Sequence, residues 1–302
     1  MKKAISEPKA GQVVIKIEVS GSNPKDWKLP EYFGIAANTG DDIAGTIHSV
    51  GEGVFEFKKG ERVFAFHEMR TAGGSYAEYG VAWAHTTALL PSESSFEEGA
   101  TIPLAGLTAV VGLYAADRLA LPQPWSKATK PTPLLIYGAG SAVGSFAVQL
   151  AMKSNIHPIV AVAGNAQAHV ESLIDRSKGD SIVDYRNGDD AVVEGIRNAL
   201  KGAKLEYAID CVSEKSAPAN IAKVLDSQTG KTTFVLPDAS KGFEKMANWD
   251  VYPSGVQQSM TQVVPGGLAG VQQGLENMKN GKASATKYIF RISETEGAGS
   301  GR

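Results

Sequence analysis

The sequence predicts an α/β protein built from a small barrel-like β domain and a domain with a parallel sheet. Two observations carry this. The first third reads as short strands punctuated by glycine, the texture of a small β barrel. From residue 134 onward, short apolar strands alternate with helical stretches, which implies βαβ units. The length of 302 residues suits two domains of about 150 residues each.

Residues 13–19 alternate like a half-buried strand. Residues 43–51 form the next, with Gly45 and Gly51 as bulge or turn positions. Lys59-Gly60-Glu61-Arg62 is a turn into strand 63–66, and 75–79 continues the pattern. Residues 96–113 read as helix interrupted by Pro103. Pro122, Pro124, Pro131 and Pro133 then mark a surface connection. Strands follow at 134–137, 158–163, 181–185, 205–210 and 232–236, with helices at 143–152, 168–176, 190–200 and 219–225 between them. A helix over 267–279, a strand over 287–292 and a Gly/Ser/acid-rich end complete the chain.

Composition excludes several classes. The single cysteine, Cys211, permits no intrachain disulfide and no Cys-rich zinc lobe. With 30 basic and 32 acidic residues, the chain lacks the basic excess of a dedicated nucleic-acid binder. Two N-terminal lysines are followed by no apolar run, so no signal peptide is expected. Residues 132–152 carry no charge and are long enough to span a membrane. They begin as a short strand and break at Gly138 and Gly140, so a cytoplasmic enzyme without membrane contact is expected.

The segment Ile136-Tyr137-Gly138-Ala139-Gly140-Ser141-Ala142-Val143-Gly144 lies between a predicted strand and a predicted helix. Such a turn presents unpaired N–H groups and a partial positive charge, and small residues admit a pyrophosphate. The spacing departs from G-x-G-x-x-G: counting back from Gly144, the first two glycine positions fall on Ala139 and Ser141. A tight turn that merely needs glycine is the alternative. The next strand ends Ala161-Val162-Ala163-Gly164-Asn165, without the acid that binds the ribose diol of NAD. A 2′-phosphate meets no repulsion there, and Lys178 and Arg186 offer positive charge, so NADP(H) is the expected cofactor.

These residues, with others, resemble the zinc-independent medium-chain dehydrogenase/reductases, in particular the fungal quinone-oxidoreductase-like and TOXD-like enzymes related to trans-acting polyketide enoyl reductases. The likeness runs over nearly the whole chain. It rests on Asn23-Pro24-Lys25-Asp26-Trp27-Lys28, Gly40-Asp41-Asp42-Ile43-Ala44-Gly45, Lys59-Gly60-Glu61-Arg62-Val63 and Gly74-Ser75-Tyr76-Ala77-Glu78-Tyr79. Leu104-Ala105-Gly106-Leu107-Thr108-Ala109, Asp184-Tyr185-Arg186, Ile209-Asp210-Cys211, Gly281-Lys282-Ala283-Ser284 and Lys287-Tyr288-Ile289-Phe290 extend it. The resemblance implies a GroES-like barrel domain over 1–110 and 266–302, joined to a doubly wound Rossmann domain over 111–265, with the active site in the cleft between them.

The catalytic zinc ligands of related alcohol dehydrogenases fall at Asn23, Asp41 and Ala105, which cannot rebuild that site. The five histidines are scattered, His67 being nearest the expected cleft. Without a Lewis acid on a carbonyl oxygen, reduction of an activated C=C is favoured, because hydrogen bonds can hold the resulting enolate. The resemblance assigns Lys28, Thr108 and Asn23 to catalysis. It assigns Gly140, Ser141, Ala142, Val143, Gly144, Gly164, Asn165, Tyr185, Leu236 and Pro237 to the cofactor, to which Lys178 is added on the grounds of charge given above, and Tyr32 and Phe33 to the substrate pocket. Each has a plain structural alternative, such as a surface lysine for Lys28, turn capping for Asn23 and helix packing for Thr108.

Against the family pattern, the chain begins near the usual second strand and runs quickly from Asp238 to Val263. The expected function is NADPH-dependent reduction of an enone, a quinone or an enoyl thioester, possible in fungal secondary metabolism, by a monomer or weak homodimer. The alternatives are a non-catalytic NADPH-binding sensor or partner protein and a zinc-dependent alcohol dehydrogenase.

Overall fold

The structure, a computed structural model, describes residues 4–34, 37–236, 260–283 and 286–298. The chain divides into two compact units, Met1–Leu104 with Gln258–Arg302, and Ala105–Gln257.

The first unit opens with β1 (Gln12–Gly21), α1 (Lys25–Phe33), β2 (Asp42–Val50), β3 (Arg62–Phe66), β4 (Tyr79–Trp83), β5 (Thr87–Leu89) and α2 (Phe96–Gly99). Helix α3 (Pro103–Tyr114) leads into the second unit, which runs β6 (Leu134–Tyr137), α4 (Ala142–Lys153), β7 (Ile159–Ala163), α5 (Gln167–Glu171), β8 (Ser181–Asp184), α6 (Asp189–Leu200), β9 (Tyr207–Asp210), α7 (Ala217–Val224) and β10 (Lys231–Phe234). The chain returns to the first unit with β11 (Met260–Val263), α8 (Gly270–Lys279) and β12 (Thr286–Arg291).

The described strands of the first unit form one sheet in the order β11-β12-β1-β2-β3-β5, with β4 paired to β1. Antiparallel β1 and β2 shift register twice, between Val14 and Ile15 and between Ile17 and Val19. Such bulges bend the strands as a closing barrel requires. Gly45 sits at this bend, where a Cβ would overlap the Lys16 carbonyl. Val13, Ile15, Ile17, Ile43, Ile47, Val63 and Phe290 fill the core beneath the sheet.

The second unit holds a five-stranded sheet, β10-β9-β6-β7-β8, and every adjacent pair is parallel. Alternating side chains go to opposite faces. Leu135, Val160, Val162 and Ala208 meet Val192 and Ile196 of α6 and Ile221 of α7. On the other face, α3 comes so close that a Cβ on Gly112 would crowd Ile209 and Thr233. The Tyr114 hydroxyl donates to the Leu150 carbonyl at 3.0 Å and joins α3 to α4. Helices on both faces make the sheet doubly wound, with all strand C-termini at one edge.

Local reading and structure differ in three places. Residues 25–33 form a helix, where no helix was expected. Over 75–78 the chain is bent and the strand starts only at Tyr79. Ser75 N–H bonds the Gly40 carbonyl and the Ser20 hydroxyl meets Ser75 Oγ at 2.7 Å, so these groups are tied outside any ladder. The helix expected over 168–176 stops after Glu171, because Asp180 accepts Asp175 N–H and Asp175 accepts Ser177 N–H. These carboxylates offer the backbone a competing turn.

Candidate active site

In a parallel sheet, helix N-termini and loops gather beyond the strand C-termini, where ligands bind. The turn from Gly138 to Gly144 stands at that edge after β6. Gly138 has φ +78, and a Cβ there would overlap Val212 Cγ2. A Cβ on Gly140 would overlap Ala166, and one on Gly144 the Gly138 carbonyl. The glycines thus admit the protein's own backbone closely. Ser141 caps α4: its Oγ accepts Gly144 N–H at 3.0 Å and donates to the Cys211 carbonyl at 3.4 Å. The N–H groups of Ala142 and Val143 fall in the first helical turn, where no intrahelical acceptor exists, and both residues are only partly covered. This fits an anion at the helix start.

At the ends of β7 and β8, Gly164, Asn165, Tyr185 and Arg186 come together. A Cβ on Gly164 would lie 2.5 Å from the Tyr185 ring, so glycine lets the half-exposed phenol lie against the backbone. Arg186 Nη1 donates to Asn165 Oδ1 at 2.6 Å, and its Nη2 meets Asp184 Oδ2 at 2.6 Å. The hydrogen bonds from Arg186 hold the Asp184 carboxyl well below the usual carboxylate range, so this acid is already neutralised by a partner.

Lys178 is not part of this group. It precedes β8, and its Nζ donates to Asn155 Oδ1 at 2.9 Å. That is the N-terminal edge of the sheet, opposite the turn, because whether a residue precedes or follows its parallel strand decides the side. Leu236 lies at the right edge, after β10, and its N–H reaches Ser213 Oγ at 3.4 Å. Pro237 lies outside the described residues. Thr108 is partly covered in the middle of α3.

In the first unit, Asn23 is 3% exposed. Its Nδ2 donates to Asp42 Oδ2 at 2.7 Å and its Oδ1 accepts from Lys287 Nζ at 3.5 Å. The amide expected to face a substrate is therefore engaged inside the unit. Lys287 also pairs with Asp42 and donates to the Thr101 carbonyl. Beside this set, Lys25 pairs with Asp26 at 2.7 Å and Asp41 at 2.5 Å and donates to the Thr39 carbonyl. The Tyr76 hydroxyl donates to Asp26 Oδ2 at 2.7 Å. Burial pushes the Asp41 carboxyl up to about 7, against the pull of Lys25. It raises Asp26 as well. Burial works against the Lys25 ammonium too, yet its two acid partners more than offset that and raise it.

Lys28, on α1, holds its Nζ 5.6 Å from the Trp27 ring centroid, within cation–π range. Tyr32 and Phe33 stand exposed on the last turn of α1, at 63% and 70%, with Tyr32 edge-on to Trp27. In this unit they form a surface, not a lining. His67 is buried, with Nδ1 2.6 Å from the Val81 carbonyl and Nε2 3.2 Å from Thr71 Oγ1. Among the described residues, no three His, Cys, Asp or Glu side chains are placed to hold a metal ion, and no helix is long and apolar enough to cross a membrane.

Lys25, Asp42 and Lys287 stand within motifs quoted from the sequence but receive no role there. One signal was present. Lys287 stands in the strand Thr286–Arg291 beside Tyr288, Ile289 and Phe290, and a charge inside an apolar strand demands a buried partner.

Comparison with known proteins agrees with this architecture. The alcohol dehydrogenase GroES-like domain family matches residues 9–92. A trans-enoyl reductase of Gibberella fujikuroi is 52% identical over 260 residues, covering 85% of this chain and 75% of that protein. A chloroplast envelope quinone oxidoreductase homolog of Arabidopsis thaliana is 30% identical, over 91% of this chain and 80% of the relative. The solved structure of the quinone oxidoreductase from Coxiella burnetii superposes with a TM-score of 0.73 at 19% identity, covering 96% of this chain and 93% of that one. A GroES-like barrel, a doubly wound parallel sheet and these identities together make the chain an oxidoreductase of the quinone and enoyl reductase branch of the medium-chain dehydrogenase/reductase family.

Proposed function

We propose that the protein is an NADPH-dependent reductase of activated carbon–carbon double bonds that works without zinc. The observation that carries the cofactor choice is the edge of β7 and β8. No acid ends β7, the acid that ends β8, Asp184, is tied to Arg186, and the Arg186 guanidinium reaches Asn165. That edge offers a 2′-phosphate a cation and no free carboxylate. Ala142 and Val143 N–H at the start of α4 would hold the pyrophosphate. The likeness to the trans-enoyl reductase supports an enoyl thioester substrate, and the likeness to the quinone oxidoreductase homolog supports quinones.

When bound, the nicotinamide supplies hydride to the β-carbon of the substrate. The Lys28 ammonium would hold the oxygen on which negative charge gathers, the Thr108 hydroxyl would bond cofactor or substrate, and solvent or a nearby acid would protonate the α-carbon. The side chains at the zinc-ligand positions support a metal-free reaction. Asn23 is engaged with Asp42 and Lys287, and Asp41 faces the Lys25 ammonium. Oxidation of NADPH, followed at its absorbance band with enones, quinones and enoyl thioesters, tests the reading. Binding of NADPH with no turnover of any of these substrates overturns it.

A further inference from the structure

Resting on that reading of the cofactor, we infer that Asp210 is a positioning residue for the dinucleotide. Its buried carboxylate clamps the loop after β9 against the Gly138 turn and under the end of β10.

The observations lie in one unit and form a connected path. Asp210 ends β9 and is 0% exposed. Its Oδ1 accepts two successive backbone N–H groups, from Val212 at 3.0 Å and Ser213 at 2.7 Å. Two charge-assisted bonds to one oxygen fix the loop tightly. The loop they fix touches both neighbours. Val212 fills the space where Gly138 lacks a side chain, and the Cys211 carbonyl receives the Ser141 hydroxyl, which caps α4. Ser213 is held at φ +56, a conformation rare for a residue with a side chain. In that conformation its Oγ accepts N–H groups from Val235 at 3.0 Å and Leu236 at 3.4 Å. A strained residue persists only where its surroundings over-determine it, and here the Asp210 carboxylate does so.

The second oxygen of Asp210 is the unusual part. Oδ2 is buried without a hydrogen-bond partner. A bare charged oxygen in that position is costly, and it is free to take a proton. Burial pushes this carboxyl up to about 6, and Glu214 adds to the rise. The other titratable groups that feel it are Cys211 and the Tyr137 hydroxyl on β6, both raised by their own burial and neutral near pH 7. Protonation of Asp210 removes charge from the clamp. The grip on Val212 and Ser213 is therefore strongest above pH 6 and weakens as the pH falls through it.

The test is the affinity of the full chain for NADPH, by fluorescence titration from pH 5.5 to pH 8, in the wild type and in Asp210→Asn. The amide keeps an acceptor for the two N–H groups and removes the charge. Expected are a folded variant, about tenfold weaker NADPH binding at pH 8, and a difference that shrinks to about threefold near pH 5.5, where roughly a quarter of Asp210 is still ionised. Taking the difference between the two proteins cancels the titration of the 2′-phosphate. Equal affinity at every pH overturns the inference and leaves the proposed function standing. A constant loss across the range also overturns it, since that is the mark of a merely structural role. A wild type that binds neither NADPH nor NADH overturns the proposed function and the inference together. If Asp210→Asn does not fold, Val212→Ala replaces it. This variant removes the contact with Gly138 and keeps the titrating carboxyl. The inference then requires weaker NADPH binding at pH 8 with the pH dependence retained, and unchanged binding overturns it.

Discussion

The Lys25 ammonium lies between two buried carboxylates, and Lys25→Met removes it while keeping the length of the stem. Asp26 is 0% and Asp41 2% side-chain exposed, and Lys25 itself 18%. Removing one partner of a buried pair costs about 3–5 kcal/mol, because the other charge is left behind. The partial exposure of Lys25 puts the expected loss near the lower end, about 3 kcal/mol at pH 8. Each kcal/mol shifts the melting temperature by roughly 2–4 °C at this size, so the first unit should melt roughly 6–12 °C lower. The loss must depend on pH. Asp41 titrates at about 7 when folded and near ~3.9 when unfolded. A carboxyl raised on folding stabilises fully below its unfolded value, and that contribution drains away as pH rises through the folded value. At pH 5 Asp41 is already neutral and the ammonium has less to neutralise. The loss should then fall below about 1.5 kcal/mol. Urea unfolding at pH 5 and pH 8, followed by tryptophan fluorescence (Trp27 lies on the same helix), reads both numbers. An equal loss at both pH values refutes the assignment of a titrating carboxylate pair around Lys25.

Further outcomes follow from the second unit and from α1. Gly164→Ala sets a methyl against the Tyr185 ring and should weaken NADPH binding about tenfold, for ~1.4 kcal/mol lost; the ring is half-exposed and can swing away, so melting should change by less than about 3 °C. Arg186→Ala should lower the preference for NADPH over NADH roughly tenfold, measured as the ratio of the two Kd values, because it removes the cation proposed for the 2′-phosphate and frees Asp184. Lys28→Met should reduce turnover roughly 100-fold with an unchanged Kd for NADPH, the signature of a group that holds transition-state charge; loss of NADPH affinity instead would assign Lys28 to the cofactor.

Much of the fold was legible in the sequence because its periodicities are local. Strand Leu134–Tyr137 lies where four consecutive apolar residues precede the glycine turn, and α6 was expected from residue 190 and starts at Asp189. Gly45 announced the bend at which β1 and β2 shift register. These are statements about residues that are near one another in the chain.

What sequence distance could not decide was which charges meet. From the sequence, Lys178 joins Arg186 near the end of the strand that closes on Asn165, but in a parallel sheet the residues before a strand and those after it are at opposite edges, and Lys178 precedes β8. Asn23 was expected to face a substrate, but Lys287, 264 residues further on, comes back on β12 to hold it with Asp42. In the sequence Asp210 is the end of a strand and part of the Ile209-Asp210-Cys211 motif, and it is the fold that buries one of its oxygens and gives the other two backbone N–H groups. The sequence alone determined the class of protein and the places where backbone must pass closely. Tertiary structure decided which polar groups stay available for chemistry, because burial and pairing depend on contacts between distant segments.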